Sequence, residues 1–185
     1  MDKYKNKYRN TSFRAQWWDY GWNGAYFITI CTANREHFFG EIINGKMVLS
    51  NTGIIVDILW HTIPNHQQHV ELGDFVVMPN HIHGILILDK PVLVGPGHAL
   101  VLPQRDQHES IGQNRFQNIG KNTVSSIIGG YKSAVTKHAN RLGLENGWQH
   151  LFHDHIIRND AEYQRISDYI ISNPANWKDD KFHSA

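Results

Sequence analysis

The sequence predicts an α+β fold: an antiparallel sheet with helices packed on one face. Apolar, β-branched runs alternate with stretches of helical periodicity, in the order strand, hairpin, helix, strand, strand, helix, strand, helix. Tight turns join neighbouring strands, which only antiparallel pairs allow. The 185 residues are enough for one domain with a real core, taken as residues 1–185.

The elements follow in order. "GAYFITICT", residues 24–32, is β-branched and aromatic and reads as a buried strand. "FFGEIINGKMVLS" holds Asn44-Gly45 between two apolar runs, the strongest short hairpin signal. "SNTGIIVDILWHTIP" reads as a helix that Ser50 or Asn51 can cap and Pro64 stops. "VELGDFVVM" and "HIHGILILDK" are two strands joined through Pro79-Asn80, since a proline cannot donate to a sheet ladder. Residues 90–121 are rich in Pro, Gly, Gln and Asn and read as a long surface loop. "NTVSSIIGGYKSAVTKHANRLG" reads as a helix capped by Asn122 or Thr123 and ended by Gly143. Gly129-Gly130 are costly inside it and suggest close packing against something. "WQHLFHDHIIR" is a short strand or irregular segment. "NDAEYQRISDYIISNP" is a last helix, with Asn159 and Glu162 in capping-box spacing and Pro174 at its end. There are no internal repeats.

Composition excludes several classes. The lone cysteine, Cys31, rules out an internal disulfide framework and a Cys-based zinc site, which fits a reducing cytoplasm. The N-terminus is too polar for a signal peptide, and no apolar run approaches the length of a membrane span. The formal charge of +1 hides a local bias. The opening "MDKYKNKYRNTSFRAQWW" is basic and aromatic, which suits a phosphate backbone and stacked bases, although a solvated terminus would look the same. It defines an arm over residues 1–20.

Two histidines interrupt the apolar run "DFVVMPNHIHGILIL". Side chains two apart on a strand share a face, so His81 and His83 project together while Ile82 points into the core. Two such imidazoles are a natural pair of metal ligands, but two satisfied histidines on a sheet face share the pattern. His153 and His155 repeat the spacing, so a third ligand has to choose between the pairs. The last helix offers one. Ile166, Tyr169, Ile170 and Asn173 fall on one face, and Asn173 lies one turn beyond Tyr169. A polar amide and a phenol on an apolar stripe both need partners. A buried tyrosine and a helix-end asparagine bonding backbone would also satisfy them. The sharper reading makes Asn173 an oxygen ligand and Tyr169 a nucleophile.

These motifs together resemble the HUH single-tyrosine transposases, specifically the REP-associated tyrosine transposase-like branch. "DYGWNGAYFITICTANREHFFGEI", "FVVMPNHIHGILIL", "IIGGYKSAVTKHAN" and "WQHLFHDHIIRNDAEYQRISDYIISNPANW" match its segments in order, over nearly the whole chain. The resemblance implies a ferredoxin-like or RRM-like HUH fold, metal histidines at His81 and His83, a nucleophile at Tyr169, and Asn173 completing the metal site. Tyr131 in "GGYKS" is a rival nucleophile, but Val135 stands where a polar ligand would be needed. His155 matches a recurrent family histidine, read as structural or supporting.

The implied activity is metal-dependent nicking and strand transfer of single-stranded DNA through a 5′-phosphotyrosine, with recognition of DNA hairpins and Mg²⁺ or Mn²⁺ as cofactor. The expected setting is the cytoplasm, without a membrane. Expected DNA contacts are Arg14, Trp17 and Trp18 in the arm and Lys132, Lys137 and Arg141 on the middle helix. Similar proteins occur as monomers and as dimers with exchanged helices, so a homodimer stays open. Two other readings compete: a catalytically silent hairpin-binding regulator on the same fold, and a metal protein of another class built on His153 and His155.

Overall fold

The computed structural model describes residues 3–4, 7–8, 22–90 and 122–183. The loop expected over 90–121 therefore lies outside the described residues, apart from Lys90. So does the arm, except for two short antiparallel strands, β1 (Lys3–Tyr4) and β2 (Lys7–Tyr8).

The main sheet has four antiparallel strands, in the order β6 (Val70–Met78), β7 (His81–Leu88), β3 (Gly24–Cys31) and β8 (His153–Ile157). The β6–β7 hairpin turns at Pro79-Asn80, as the sequence predicts, and a register shift interrupts β6 between Leu72 and Phe75. A second hairpin joins β4 (Gly40–Ile43) to β5 (Lys46–Leu49). Asn44 and Gly45 at its tip have φ of 52° and 73°, the left-handed pair that a two-residue hairpin loop demands.

Helix α1 (Asn51–His61) starts where Ser50 accepts a hydrogen bond from the Gly53 amide at 3.0 Å. Pro64 was expected to stop this helix. Instead it sits in the first turn of a short second helix, α2 (Ile63–His66), where its missing amide costs nothing. Helix α3 (Val124–Arg141) is capped by Thr123, which forms a reciprocal box with Ser126. Helix α4 (Asp160–Ser172) is capped by Asn159. Glu162 does not reach back to the Asn159 amide; it accepts from the Arg158 amide and His155.

The strand period sorts the side chains into two layers. Tyr26, Ile28, Ile30, Ile82 and Leu86 face α1 and α3 in the main core. The alternate residues Phe27, Ile85 and Ile87 face Ile166 and Ile170 of α4. Thus α1 and α3 share one face, and α4 covers part of the other. Gly129-Gly130 were expected to mark close packing; both are exposed, and a Cβ at either would meet nothing within 4 Å.

Gly84 is required by close approach. A Cβ there would fall 2.4 Å from Trp60 Cζ2 and 3.0 Å from Phe75 Cδ2, and those rings stack at 4.6 Å. Gly84→Ala must split that pair. Urea unfolding is expected to show a loss of about 2 kcal/mol; an unchanged midpoint would contradict this packing.

Candidate metal and tyrosine site

The site starts from the alternation in β7. Ile82 is buried in the main core, so its neighbours point to the α4 side. His83 stands in register with Val76 on β6 and Thr29 on β3, and Thr29 with His153 on β8. His81 and His83 are both buried, and their Nε2 atoms lie 3.1 Å apart.

The outer nitrogens set what the inner ones do. Asn80 donates its Nδ2 to the Phe182 carbonyl at 2.9 Å, so its Oδ1 is the acceptor facing His81 Nδ1, also at 2.9 Å. His81 therefore carries its proton on Nδ1 and presents a bare Nε2 lone pair. His83 Nδ1 lies 2.8 Å from the Thr29 hydroxyl, which can accept or donate. When Thr29 donates, His83 Nε2–H fills the gap to His81. When Thr29 accepts, two lone pairs converge on one point, the arrangement a cation needs. Burial, with Arg35 and Lys181 adding to it, pushes the His81 imidazole down to about 3. Burial and then the neighbouring His81 push His83 well below its ordinary value. Both rings are thus neutral at physiological pH, the form that ligates.

Helix α4 brings the other components. Its Ile166 and Ile170 anchor it to the sheet, and Tyr169 and Asn173 arrive at the histidines as the helical spacing predicts. The Tyr169 hydroxyl lies 3.2 Å from His83 Nε2 and donates to Asp180 at 3.3 Å. Its ring meets Phe27 edge-on at 6.1 Å. Burial and then the Asp180 charge raise the phenol to about 12.

Asp180 was missed by sequence reasoning. It follows the 3₁₀ turn Trp177–Asp179, with no periodic pattern to single it out. Its Oδ2 accepts from Asn173 Nδ2 at 3.0 Å, and its Oδ1 accepts from the Phe182 amide at 2.6 Å. Among the described residues, the cluster of His, Cys, Asp and Glu side chains that could hold a metal ion is His81, His83 and Asp180, whose ligand atoms lie within 4.8 Å of one another. Asn173 is buried, and turning its amide nitrogen to the carboxylate leaves its Oδ1 without a partner. Two neutral imidazoles, a carboxylate and an orphaned amide oxygen suit Mn²⁺, and Mg²⁺ less readily, because imidazole favours transition ions.

Other expected residues fall elsewhere. Tyr131 is buried in the main core and donates to the Val56 carbonyl at 2.9 Å, on the opposite side of the sheet from His83. Its hydroxyl is held in that core, away from the paired histidines, so it is no rival nucleophile; burial raises its phenol well above the ordinary value. His155 pairs with Glu162 at 2.8 Å, and neither it nor His153 joins the metal cluster. Lys132 donates to the Gln149 and His150 carbonyls at 2.6 and 3.3 Å, tying α3 to the segment before β8. Lys137 and Arg141 remain exposed. Arg14, Trp17 and Trp18 lie outside the described residues. Among the described residues, no helix is long and apolar enough to cross a membrane.

Stability of the metal-free protein should follow the histidines. Their pKa values are depressed on folding, so the unfolded chain binds more protons in acid. Their contribution is full above about pH 6.5 and falls as the pH drops towards 3. His81 alone accounts for a loss of about 3 kcal/mol by pH 4. Urea unfolding in EDTA is expected to track this loss, and His81→Asn to blunt it. An equal loss in the variant would place the titration elsewhere.

The four-stranded antiparallel sheet with its flanking helices has a counterpart among solved structures. A solved structure described as a REP-associated tyrosine transposase bound to a REP hairpin superposes with a TM-score of 0.53 at 20% identity, covering 92% of this chain and 73% of that one. The α+β fold with an antiparallel sheet expected from the sequence is therefore present, with α4 on the face opposite α1 and α3 where the helices were expected on one face. An uncharacterized protein of Haemophilus influenzae is 35% identical over 178 residues, covering 93% of this chain and 92% of the relative. The chain belongs to one family with that protein. No family model matches it.

Proposed function

We propose that the protein is a metal-dependent transposase that nicks and rejoins single-stranded DNA beside a hairpin, with Tyr169 as nucleophile. The observation that carries this reading is the Tyr169 hydroxyl 3.2 Å from His83 Nε2, itself 3.1 Å from His81 Nε2. A nucleophile thus stands against a donor set able to hold a cation, on the fold of a transposase whose structure holds a hairpin.

His81, His83 and Asp180 would hold the ion, and the Asn173 Oδ1 would offer a further oxygen. When bound, the ion neutralises charge that builds on a non-bridging phosphate oxygen. Tyr169 Oη bonds to phosphorus as the P–O3′ bond breaks; the phenolic proton leaves and the departing O3′ gains one. The products are a 5′-phosphotyrosine and a free 3′-hydroxyl, and attack by a DNA 3′-hydroxyl reverses the step without ATP. Asp180 sets the resting state. Burial and then the charge of Asp180 keep the Tyr169 phenol neutral at physiological pH, and a cation drawn to Asp180 would offset that charge. Lys137 and Arg141 offer phosphate contacts on the α3 face, and a DNA substrate is consistent with the expected cytoplasmic setting.

The test is incubation with a labelled single-stranded DNA hairpin and Mn²⁺, followed by denaturing electrophoresis. A covalent protein–DNA adduct is expected. DNA binding without an adduct on any hairpin substrate would favour the silent regulator.

A further inference from the structure

We propose that the cleft between β8 and the C-terminal segment binds the nucleotide unit adjoining the scissile phosphodiester, its phosphate on Arg35 and Lys181 and its base against Phe27. The inference rests on the strand-transfer reading above and gives that site a substrate-positioning pocket.

The cleft measures about 430 Å³, within the range of small-ligand sites. Phe27 and Thr29 of β3 line it, with His153 on β8; Arg35, Lys181 and Phe182 line it from the other segments. It adjoins the metal site. Thr29 bonds His83 at 2.8 Å, the Phe27 ring lies 5.2 Å from the His83 ring, and the Phe182 ring lies 4.6 Å from that of His81. A strand whose phosphate reaches Tyr169 therefore has its next unit at this cleft.

The cations are placed for an anion. Arg35 Cζ stacks 4.4 Å from the Phe182 ring centroid and Lys181 Nζ 4.8 Å from it. Among the described residues, neither head group has an ion-pair or hydrogen-bond partner. The cleft has one carboxylate, Asp154, against these two cations. Asn34 and Arg35 hold φ of 51° and 61°, left-handed backbone that an arginine seldom adopts. Strain of this kind gathers where a side chain must be aimed. Phe27 is partly exposed and presents ring surface on which a base can stack.

The test is fluorescence anisotropy with a labelled DNA hairpin carrying a short single-stranded tail, and with the same hairpin lacking it, at several salt concentrations in EDTA. Wild type, Arg35→Ala and Lys181→Ala are compared; Lys181 is exposed, so its variant guards against a folding defect. The tail should tighten wild-type binding. Each substitution should weaken the tailed hairpin about tenfold and flatten its salt slope by about 0.7, with little effect on the blunt one. A tail that adds nothing to wild-type binding, or variants that bind the tailed hairpin like wild type, overturns the subsite alone if the Tyr169 adduct still forms. Failure of wild type to bind either DNA removes both readings.

Discussion

Tyr169→Phe is expected to reduce nicking of a labelled DNA hairpin by at least about 10⁴-fold while leaving hairpin affinity near that of wild type. Tyr169 is 38% exposed, and its ring keeps its edge contact to Phe27 and its approach to His83. Only the hydroxyl is lost, together with its bonds to His83 and Asp180. Folding stability should change by no more than about 1 kcal/mol. The variant thus separates chemistry from packing. Single-turnover nicking in Mn²⁺ is the measurement, and residual activity above a hundredth of wild type would move the nucleophile elsewhere.

Asp180→Ala carries the second large effect. Removing a carboxylate from the cluster of His81, His83 and Asp180 should weaken Mn²⁺ binding at least about 100-fold by calorimetry, with nicking falling in step. A second readout does not depend on activity. The Asp180 charge is one cause of the raised Tyr169 phenol, so its loss should lower the pKa from about 12, visible in a spectrophotometric titration of the metal-free protein. Asn173→Ala should cost less metal affinity, because the Asn173 amide nitrogen already serves the carboxylate. A larger loss from Asn173→Ala would make its Oδ1 the third ligand, as the helical spacing alone suggests.

The legible parts of this site were those written in short periods. His81 and His83 are two apart on a strand, and Tyr169 and Asn173 four apart on a helix, so local geometry places each pair on one face. The hairpin at Asn44-Gly45 and the caps at Ser50, Thr123 and Asn159 are local in the same sense. Asp180 was not legible, because a tertiary path brings it back to the sheet. That path is set by Trp177 and Phe182 packing with Cys31 and Met78, and by the Asn80 bond to the Phe182 carbonyl. Pro64 misled for a related reason: a proline ends one helix and begins another equally well, and Ile63 packing into the main core decides between them. The exposed Gly129-Gly130 pair has no explanation within the described residues.

The most direct test of Tyr169 as the nucleophile is peptide mass spectrometry of the covalent adduct formed with a single-stranded DNA hairpin and Mn²⁺. Nuclease digestion should leave a phosphonucleotide on the peptide carrying Tyr169, with the DNA joined through its 5′-phosphate, and none on the peptides of Tyr131 or Tyr163. An adduct on another residue, or hairpin binding with no adduct in Mn²⁺, would contradict it.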